Sequence, residues 1–321
     1  MQESDIRPAN LTSQHKEVYQ LDLDRYRKHL DNFAIRECPG CGGETSTKFV
    51  SHYDFTFVKC ISCHCVFMNP GPTEAHVSEL YTYSEVYKFW AEYMYPQSRE
   101  SRLATLHKIR VEWMVNAVES FLPAKNNYRI LEVGAGTGDT LFALNSLNRL
   151  DLETFAVEWN PEMRPSLTEN NVQFLGSTID EINPGVHKFD VIVLFEVIEH
   201  LLDPMKFLEK ALTLLNPNGL LMFTTPNAQS LEVQWMKERT TTIDIEHITL
   251  LSPASVTHLA LRNSLQVKKI ETNGMLDREL LEKGGHHLTI EIDATQVSKE
   301  NIQKMISEAG VSSNMQVILQ A

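Results

Sequence analysis

All five cysteines of the chain lie within one short segment, between Cys38 and Cys65. Cys38 and Cys41 form one Cys-x-x-Cys pair, Cys60 and Cys63 form a second, and 18 residues separate the pairs. Each pair can aim two thiolates at one point, and four thiolates complete the tetrahedral shell of a structural Zn²⁺ site. The spacing therefore predicts structural zinc, with buried or redox-active thiols as the alternative. Cys65 is either a substitute for Cys63 or a packed side chain.

A glycine-rich segment, ILEVGAGTG at residues 130–138, stands between a predicted strand and a predicted helix. Glycines allow a sharp turn and a close approach of ligand to backbone, and the helix offers free N–H groups. The Gly-x-Gly-x-Gly spacing differs from the dinucleotide pattern, and the preceding Glu132 would repel a pyrophosphate. Glu132 suits a ligand with an ammonium group instead. Glu158 ends the next predicted strand, where a carboxylate can accept hydrogen bonds from both hydroxyls of a ribose.

Two histidines follow later strands. Phe195-Glu196-Val197-Ile198-Glu199-His200 ends the fourth predicted strand, at the edge where an open α/β sheet binds ligands. His200 either packs near a cofactor, acts as a general base, or joins Glu196 and Glu199 in binding Mg²⁺ or Mn²⁺. Glu246-His247 follows the fifth predicted strand, where a histidine can take a proton from a substrate hydroxyl or an acidic carbon.

The elements that must position these residues are short apolar runs that alternate with helical patterns from residue 128 onwards. This alternation predicts an α/β fold with a parallel sheet covered by helices on both faces. The strands are predicted at 128–133, 154–158, 172–175, 189–195, 220–224, 266–272 and 315–319, with a further strand at 287–292 inside an insertion at 274–313. The helices are predicted at 139–149, from Pro204 to an Asn-Pro-Asn-Gly stop at 216–219, and at 253–263.

The domain organisation follows from these patterns. We expect a helical extension at 1–35, a zinc-ribbon module at 36–72, a helical connector or lid at 73–125, and a ligand-binding domain at 126–321. Aromatic residues, most of them tyrosines, are concentrated in residues 81–95. This aromatic cluster either packs against the sheet or covers the site as a lid, which would exclude water from a reaction.

Composition narrows the class of protein. The chain has 321 residues and a net charge of −13. Its fractions of apolar residues (42%) and charged residues (22%) are ordinary for a globular protein. The acidic balance argues against nucleic acid as a partner. No stretch approaches 18 consecutive apolar residues, and the first 20 residues show no signal-peptide pattern. We therefore expect a cytoplasmic protein with no membrane span. Oligomeric state cannot be read from these patterns.

Residues 128–275 resemble the class I S-adenosylmethionine-dependent methyltransferases. In that family the EVGAGTG segment wraps the methionine part of the cofactor, an acidic residue after the second strand holds the ribose, and residues near the third strand frame the adenine. The resemblance implies a Rossmann-like seven-stranded sheet whose last strands are antiparallel; a nicotinamide dehydrogenase is the alternative. The implied cofactor-binding residues are Glu132, Gly134, Ala135, Gly136, Gly138, Glu158, Trp159, Ser177, Thr178, Phe195 and Glu196.

The order of parts also resembles a bacterial methyltransferase subfamily of polysaccharide, nucleotide-sugar and secondary-metabolite pathways. The shared features are the Cys-x-x-Cys module, an Asn-Pro-x-Pro-Thr segment at 69–73 and the aromatic helical region. In that subfamily a Glu-His pair between the fifth strand and the next helix reaches the substrate, which implies His247 as the catalytic base, ahead of His200. The sugar C-methyltransferases of the subfamily carry a further C-terminal domain that this sequence lacks. We therefore expect use of the cofactor but have less reason to expect methylation of a carbon atom.

These observations predict methyl transfer from S-adenosylmethionine to a small molecule, with a sugar nucleotide or surface-glycan precursor as the expected acceptor. The first alternative is metal-assisted O-methylation of a quinone- or polyketide-type phenol, because the Glu-x-x-Glu-His segment is similar to that of ubiquinone-pathway O-methyltransferases. The second is an RNA methyltransferase whose zinc module grips RNA. Basic and acidic residues are equal in number within 36–72, so the charge of the zinc module does not favour RNA binding. A non-catalytic scaffold is the remaining alternative.

Overall fold

The computed structural model describes residues 6–170, 172–274, 277–286, 291–292 and 295–321. Its N-terminal part contains one helix and three short antiparallel strands. The bounds are α1 (Thr12–Arg27), β1 (Ser46–His52), β2 (Phe55–Cys60) and β3 (Val66–Met68). The predicted zinc ligands lie around the ends of β2 and before β1, so the three strands form the body of the cysteine module.

A helical region follows the cysteine module. Its helices are α2 (Glu74–Tyr83), α3 (Glu85–Phe89), α4 (Tyr95–Arg102) and α5 (Lys108–Phe121). Two π-helical segments, Trp90–Met94 and Leu103–His107, join α3, α4 and α5 without a break. Such π segments displace side chains relative to a regular helix and are frequent at functional sites. Both segments contribute side chains to the cavity described below.

The second half of the chain alternates strands and helices. The first elements are β4 (Tyr128–Val133), α6 (Asp139–Ser146), β5 (Leu152–Val157), α7 (Arg164–Glu169), β6 (Gln173–Gly176), β7 (Phe189–Phe195), α8 (Pro204–Leu214) and β8 (Leu215–Pro226). The later ones are β9 (Thr249–Leu250), α9 (Pro253–Arg262), β10 (Gln266–Thr272), α10 (Asp277–Lys283), β11 (Glu291–Ile292), β12 (Thr295–Gln296), α11 (Lys299–Glu308) and β13 (Asn314–Gln320).

Seven of these strands form one sheet in the order β10-β13-β8-β7-β4-β5-β6. The five strands from β8 to β6 are parallel, and β13 runs antiparallel between β8 and β10. The central strand β7 is buried along its whole length, as its continuous apolar sequence requires. The prediction of a Rossmann-like, mostly parallel seven-stranded sheet is confirmed.

Alternate residues of each central strand enter two separate hydrophobic clusters, as the period of a strand demands. Leu131, Ile192 and Phe223 pack with α8 and α9 and with the buried cysteines. Their neighbours Ile130 and Val191 pack with α5 and α6 on the opposite face. The cysteine module therefore packs directly against one layer of helices.

Two predicted elements differ from the structure. The Asn-Pro-Asn-Gly segment at 216–219 does not separate α8 from β8, because β8 already begins at Leu215 and pairs there with Phe189. A register shift between Phe189 and Val191 accommodates the extra residues. For the strand predicted at 287–292, residues 287–290 lie outside the described residues, and 291–292 form one side of the β11–β12 pair.

One strand of the second half belongs to the other sheet. β9 pairs antiparallel with β3, so the small sheet has the order β1-β2-β3-β9. Val66 lies opposite Leu250 and Phe67 opposite Thr249, and the Met68 N–H donates to the Ile248 carbonyl at 3.1 Å. The cysteine module at 36–72 is therefore completed by a strand from the large domain.

None of the helices in the described ranges has the length and apolar composition that a membrane crossing requires.

A buried carboxylate joins α1 to the helical connector. Asp22 is 1% exposed, and its Oδ2 accepts hydrogen bonds from the Ser84 hydroxyl at 2.6 Å and the Val86 N–H at 3.0 Å. Its Oδ1 accepts from the Glu85 N–H at 3.0 Å. These N–H groups begin α3 and have no partner within the helix, so Asp22 caps the helix from a distant part of the chain.

We predict that Asp22→Ala lowers the free energy of unfolding by about 2 kcal/mol, because it leaves buried donors without an acceptor. Asp24→Ala is the matched control on the same helix, since Asp24 is 57% exposed, and it should cost less than about 0.5 kcal/mol. Urea unfolding followed by circular dichroism measures both. Equal losses for the two variants would contradict the capping role.

Candidate functional site

A cavity of about 2080 Å³ lies at the carboxyl ends of β4, β5 and β7. The turns that follow these strands form its floor. Its other walls include side chains of α1, of α2 to α5, of residues 238–247 and of the chain after β10. Ligands of open α/β sheets bind at this edge. The volume exceeds that of an ordinary single-ligand pocket, so the cavity has room for two reactants.

The glycine-rich turn after β4 requires its glycines. Gly134 and Gly136 have φ angles of 70° and 55°, in the left-handed region that side chains disfavour. A Cβ on Gly134 would lie 2.6 Å from Cγ2 of Val197, whereas a Cβ on Gly136 would meet nothing within 4 Å. Gly134 therefore allows the turn to pack on the segment after β7. Gly136 leaves its space to the cavity.

The Glu158 carboxylate joins the end of β5 to this turn. Its Oε2 accepts a hydrogen bond from the Gly136 N–H and its Oε1 accepts one from the Asn160 N–H, both at 2.7 Å. Burial raises the pKa of Glu158, while the two backbone hydrogen bonds oppose that shift. Each carboxylate oxygen keeps a second lone pair. Glu158 can therefore accept further hydrogen bonds from a ligand in the cavity.

Glu132 has a buried carboxylate oxygen to which no described residue donates a hydrogen bond. It is 2% exposed, and its Oε2 has no hydrogen-bond partner among the described residues. Burial raises the pKa of Glu132 to about 8, and Arg110 opposes that shift. A buried acceptor of this kind is costly unless something donates to it. Its place in the cavity wall fits an ammonium group, as the sequence predicted from charge alone.

Arg110 is a site residue that the sequence pattern did not reveal. It lies in the cavity wall, and its guanidinium stands over the Phe195 ring at 4.4 Å from the centroid. Among the described residues no carboxylate lies within ion-pair distance of it, although Glu132 and Glu196 are close enough to favour its charged form. A guanidinium beside the unmet acceptor of Glu132 suits a carboxylate on the same carbon as an ammonium group. Its only sequence signal was a basic residue between Ile109 and Val111 in an apolar stripe.

The structure brings together nearly all the residues expected from the resemblance. In the cavity wall lie Glu132, Gly134, Ala135, Gly136, Glu158, Trp159, Ser177, Thr178, Phe195 and Glu196. Gly138 is outside the wall and packs instead, since a Cβ there would lie 2.8 Å from Cδ2 of Leu167. Ser177 accepts a hydrogen bond from Arg164 at 3.0 Å, which orders the turn after β6.

The structure does not group Glu196 with Glu199 and His200, as the alternative of a divalent-metal site at the end of the fourth predicted strand requires. Residues 198–200 form a single 3-10 turn, and Glu196 has a φ of 57°. Glu196 Oε1 accepts hydrogen bonds from Thr224 at 2.5 Å and Asn314 at 3.0 Å, so it is committed to the neighbouring strands.

His200 and His247 lie side by side, with ring centroids 4.9 Å apart. His200 Nδ1 donates to the Glu246 carbonyl and His247 Nδ1 donates to the Thr242 carbonyl, both at 3.0 Å. These bonds assign the tautomer, because a carbonyl can only accept, and each neutral ring keeps its lone pair on Nε2. Burial and the neighbouring His247 lower the pKa of His200 to about 3, so His200 is neutral at pH 7.

A different acidic residue accompanies this histidine pair. Glu199, His200 and His247 each offer one ligand atom, and the three atoms lie within 4.8 Å of one another. Glu199 is fully buried; Thr225 donates to its Oε2 at 3.0 Å, and its Oε1 has no partner among the described residues. Two imidazoles and one carboxylate favour Zn²⁺, Mn²⁺ or Fe²⁺ over Mg²⁺.

The aromatic cluster of the connector contributes to both ends of the cavity. Tyr81 and Tyr87 stack at 5.2 Å, and the Tyr87 hydroxyl donates to Oε2 of Glu246 at 3.3 Å. The Tyr81 ring lies 6.4 Å from His200 and 6.3 Å from Trp159. Burial, with Asp244 nearby, raises the pKa of Glu246 to about 8. Other members of the cluster, such as the exposed Tyr83 and Tyr93, point to solvent.

The four predicted zinc ligands converge outside the cavity. Their Sγ atoms lie within 4.8 Å of one another; Cys38 is 3.4 Å from Cys63, and Cys41 is 3.6 Å from Cys60. A tetrahedron with Zn–S bonds of about 2.3 Å has sulfurs roughly 3.8 Å apart, so this donor set fits zinc. Cys65 is fully buried and is not part of the four-cysteine group.

The sequence is similar to several groups of known proteins. Residues 106–270 match the family described as "Methyltransferase domain". The ubiquinone biosynthesis O-methyltransferase of Bradyrhizobium diazoefficiens is 26% identical over 172 residues, 49% of this chain and 64% of that protein. The protein of the same description from Xanthomonas campestris pv. campestris is 27% identical over 173 residues, 50% of this chain and 67% of that protein. The chain thus spans slightly less than two thirds of the first relative.

Solved structures with a similar course of chain include a putative sarcosine dimethylglycine methyltransferase from Galdieria sulphuraria. Its TM-score is 0.47 at 16% identity, covering 70% of this chain and 87% of that one. A SAM-dependent methyltransferase from Archaeoglobus fulgidus has a TM-score of 0.47 at 18% identity, covering 71% of this chain and all of that one.

The family match extends over slightly more than half of the chain, and it includes the glycine-rich turn, Glu158 and the segment that carries His200. The chain belongs to the methyltransferase-domain family.

Proposed function

We propose that the protein methylates a small polar acceptor, a sugar nucleotide or a surface-glycan precursor, with His247 as the proton acceptor. The observation that carries this proposal is one continuous cavity that contains the cofactor residues at one end and the His200–His247 pair at the other. A donor and an acceptor can therefore meet inside it without leaving the protein. The choice of a sugar acceptor rests on the domain order of the chain, which resembles that of methyltransferases of polysaccharide and nucleotide-sugar pathways.

The cofactor end supplies three polar contacts. Glu158 accepts hydrogen bonds from the ribose hydroxyls, Glu132 accepts from the ammonium group, and Arg110 donates to the carboxylate of the methionine part. When bound, S-adenosylmethionine supplies a methyl group made electrophilic by its sulfonium. The protein's own task is to align the acceptor with that methyl group and to exclude water. The rings of Tyr81 and Trp159, 6.3 Å apart in the cavity wall, can contribute to that exclusion.

The histidine end removes one proton from the acceptor. His247 holds its Nδ1–H against the Thr242 carbonyl, so its Nε2 is free to accept a proton. Burial lowers the pKa of His200 to about 3, so His200 is a weak base. We therefore assign the proton-accepting role to His247, whose ring lies 4.9 Å from that of His200.

A second candidate function is metal-assisted O-methylation of a quinone-type phenol. Two observations favour it: the named relatives are ubiquinone biosynthesis O-methyltransferases, and Glu199, His200 and His247 form a compact donor set. An ion held there would lower the pKa of an acceptor hydroxyl. Glu196 is not part of this donor set, since it is bound to Thr224 and Asn314.

We also propose that Cys38, Cys41, Cys60 and Cys63 hold a structural zinc ion. The four sulfurs leave no open position, which is the arrangement of structural rather than catalytic sites. The ion would stabilise the module whose sheet includes β9, two residues after His247.

The acceptor class can be tested with radiolabelled S-adenosylmethionine and pools of nucleotide sugars, glycan precursors and catechols. We expect label in a nucleotide sugar or glycan precursor, and transfer only to catechols would favour the second candidate.

Glu158→Ala should weaken S-adenosylmethionine binding at least about tenfold, because it removes charge-assisted hydrogen bonds worth about 1.5–3 kcal/mol each. Titration calorimetry measures the effect. Glu162→Ala, an exposed carboxylate four residues later, is the control and should bind normally. Unchanged affinity in Glu158→Ala would remove Glu158 from the cofactor site.

Cys41→Ser should release about one equivalent of zinc and lower the thermal midpoint, because the remaining thiolates no longer complete the shell. Metal analysis and thermal unfolding measure the two effects. Cys65→Ser, at the cysteine outside the group, should keep the metal. Zinc-free wild-type protein, or full zinc in Cys41→Ser, would contradict the proposed ligands.

His247→Ala should lower kcat by about 10²–10⁴ with nearly unchanged cofactor affinity, the size of a lost general base. The exposed His258 on α9 is the matched control, and His258→Ala should remain active. Full activity of His247→Ala would contradict the proposed role. A rate that falls with a chelator, returns with Mn²⁺ and is abolished by Glu199→Gln would establish the metal-assisted alternative.

A further inference from the structure

One hydroxyl group connects the cysteine module to both histidine-bearing segments. Thr249 is fully buried in β9, two residues after His247. Its Oγ1 accepts a hydrogen bond from Nη2 of Arg36 at 2.7 Å and donates one to the carbonyl of Leu201 at 3.2 Å. Arg36 belongs to the cysteine module and Leu201 follows His200. The side chain of Thr249 therefore connects the cysteine module with the segments that carry His200 and His247.

Backbone hydrogen bonds reinforce this connection. β3 of the cysteine module pairs with β9, and the Met68 N–H donates to the Ile248 carbonyl. The Ser252 hydroxyl donates to the Cys63 carbonyl on the other side of β9. Residues 240–248 form no helix or strand of their own. The position of His247 therefore depends on where the cysteine module holds β9.

Arg36 has an unusual electrostatic environment. Its guanidinium lies over the Phe67 ring at 5.6 Å, and Phe67 packs in the same buried cluster as Cys38 and Cys63. Arg36 is half-buried, and its Nη1 is buried and has no hydrogen-bond partner among the described residues. Burial lowers the pKa of Arg36, and Cys65, Cys38 and Asp203 oppose that shift. A cation in such a place is costly unless negative charge lies near it.

The proposed zinc site would supply additional negative charge near Arg36. Four cysteine thiolates around one Zn²⁺ carry a net charge of −2, and one proposed ligand, Cys38, is close enough to Arg36 to favour its charged form. Groups just outside a metal's ligands commonly orient those ligands and tune the site. Arg36 lies two residues before Cys38 in the sequence and donates a hydrogen bond to Thr249.

We propose that Arg36 balances the charge of the zinc-bound thiolates and that, through Thr249, it positions the segments carrying His200 and His247. Thr249 is then a positioning residue of the transfer reaction. Without zinc, the guanidinium loses the negative charge of the zinc site, and the hydrogen bond that orders Thr249 loses its anchor. This inference rests on the proposed zinc site and on the proposed role of His247, and it adds a physical link between them.

Two sets of variants test the two halves of the link. Arg36→Gln removes the charge, and Arg36→Lys keeps it. Thr249→Val removes the hydroxyl at constant shape, and Thr249→Ser keeps a hydroxyl. Thr257→Val, at an exposed position of α9, is the matched control, because the Thr257 hydroxyl donates to Pro253 of its own helix. Zinc affinity is measured by competition with a chromophoric chelator. The imidazole signals of His200 and His247 are measured by NMR at fixed pH.

We expect Arg36→Gln to weaken zinc binding by about tenfold or more, with Arg36→Lys closer to wild type. Thr249→Val should keep one equivalent of zinc and bind S-adenosylhomocysteine normally, yet shift the signals of both histidines. Thr249→Ser should restore those signals, and Thr257→Val should leave them unchanged. Unaltered zinc affinity in Arg36→Gln, or unaltered histidine signals in Thr249→Val, would overturn the proposal.

These readouts separate the inference from the proposed function. An active His247→Ala enzyme would remove His247 from catalysis, while the NMR and zinc measurements would still report on the link. Conversely, an inactive His247→Ala enzyme with unshifted histidine signals in Thr249→Val would keep the proposed function and refute the link.

Discussion

The pairing of β3 with β9 is the constraint on which the rest of the site depends. It places a strand of the large domain in the sheet of the cysteine module, next to the segment that carries Glu246 and His247. In an antiparallel pair a slip of one residue would turn every side chain to the opposite face. The register of Phe67 opposite Thr249 therefore determines which way the residues before β9 point. The small module thus acts on the geometry of the cavity although its sulfurs lie outside it.

Two buried carboxylates, one in the cavity wall and one behind it, have an oxygen atom that the described residues do not hydrogen-bond. Glu132 and Glu199 each keep one carboxylate oxygen without a partner in the described structure, and burial raises the pKa of both groups. Such groups destabilise a fold unless a ligand completes them, and they are typical of functional sites. Glu132 lies in the cavity wall with Arg110, whereas Glu199 lies behind the lining, beside His200 and His247.

The features that could be predicted from sequence are those that depend on neighbours along the chain. The glycine-rich turn, the acidic end of β5 and the continuous apolar run of β7 each carry their signal within a few residues. The two Cys-x-x-Cys pairs also converge as their spacing predicted, because each pair is a local turn.

The features that escaped prediction depend on contacts between distant segments. His200 and His247 are adjacent only because the Glu246 carbonyl accepts from His200. Glu196 turns away from Glu199 because its left-handed backbone sends it to Thr224 and Asn314. Neither a helical wheel nor a motif spacing contains this information. The same holds for the β3–β9 pair, which joins residues separated by most of the chain.

A crystal structure of the protein with S-adenosylhomocysteine tests the central claim most directly. The account predicts the ribose hydroxyls within hydrogen-bonding distance of Glu158, the ammonium group at Glu132, and the sulfur facing the side of the cavity that holds His200 and His247. A ligand bound elsewhere, or bound here with its sulfur directed away from the two histidines, would contradict it.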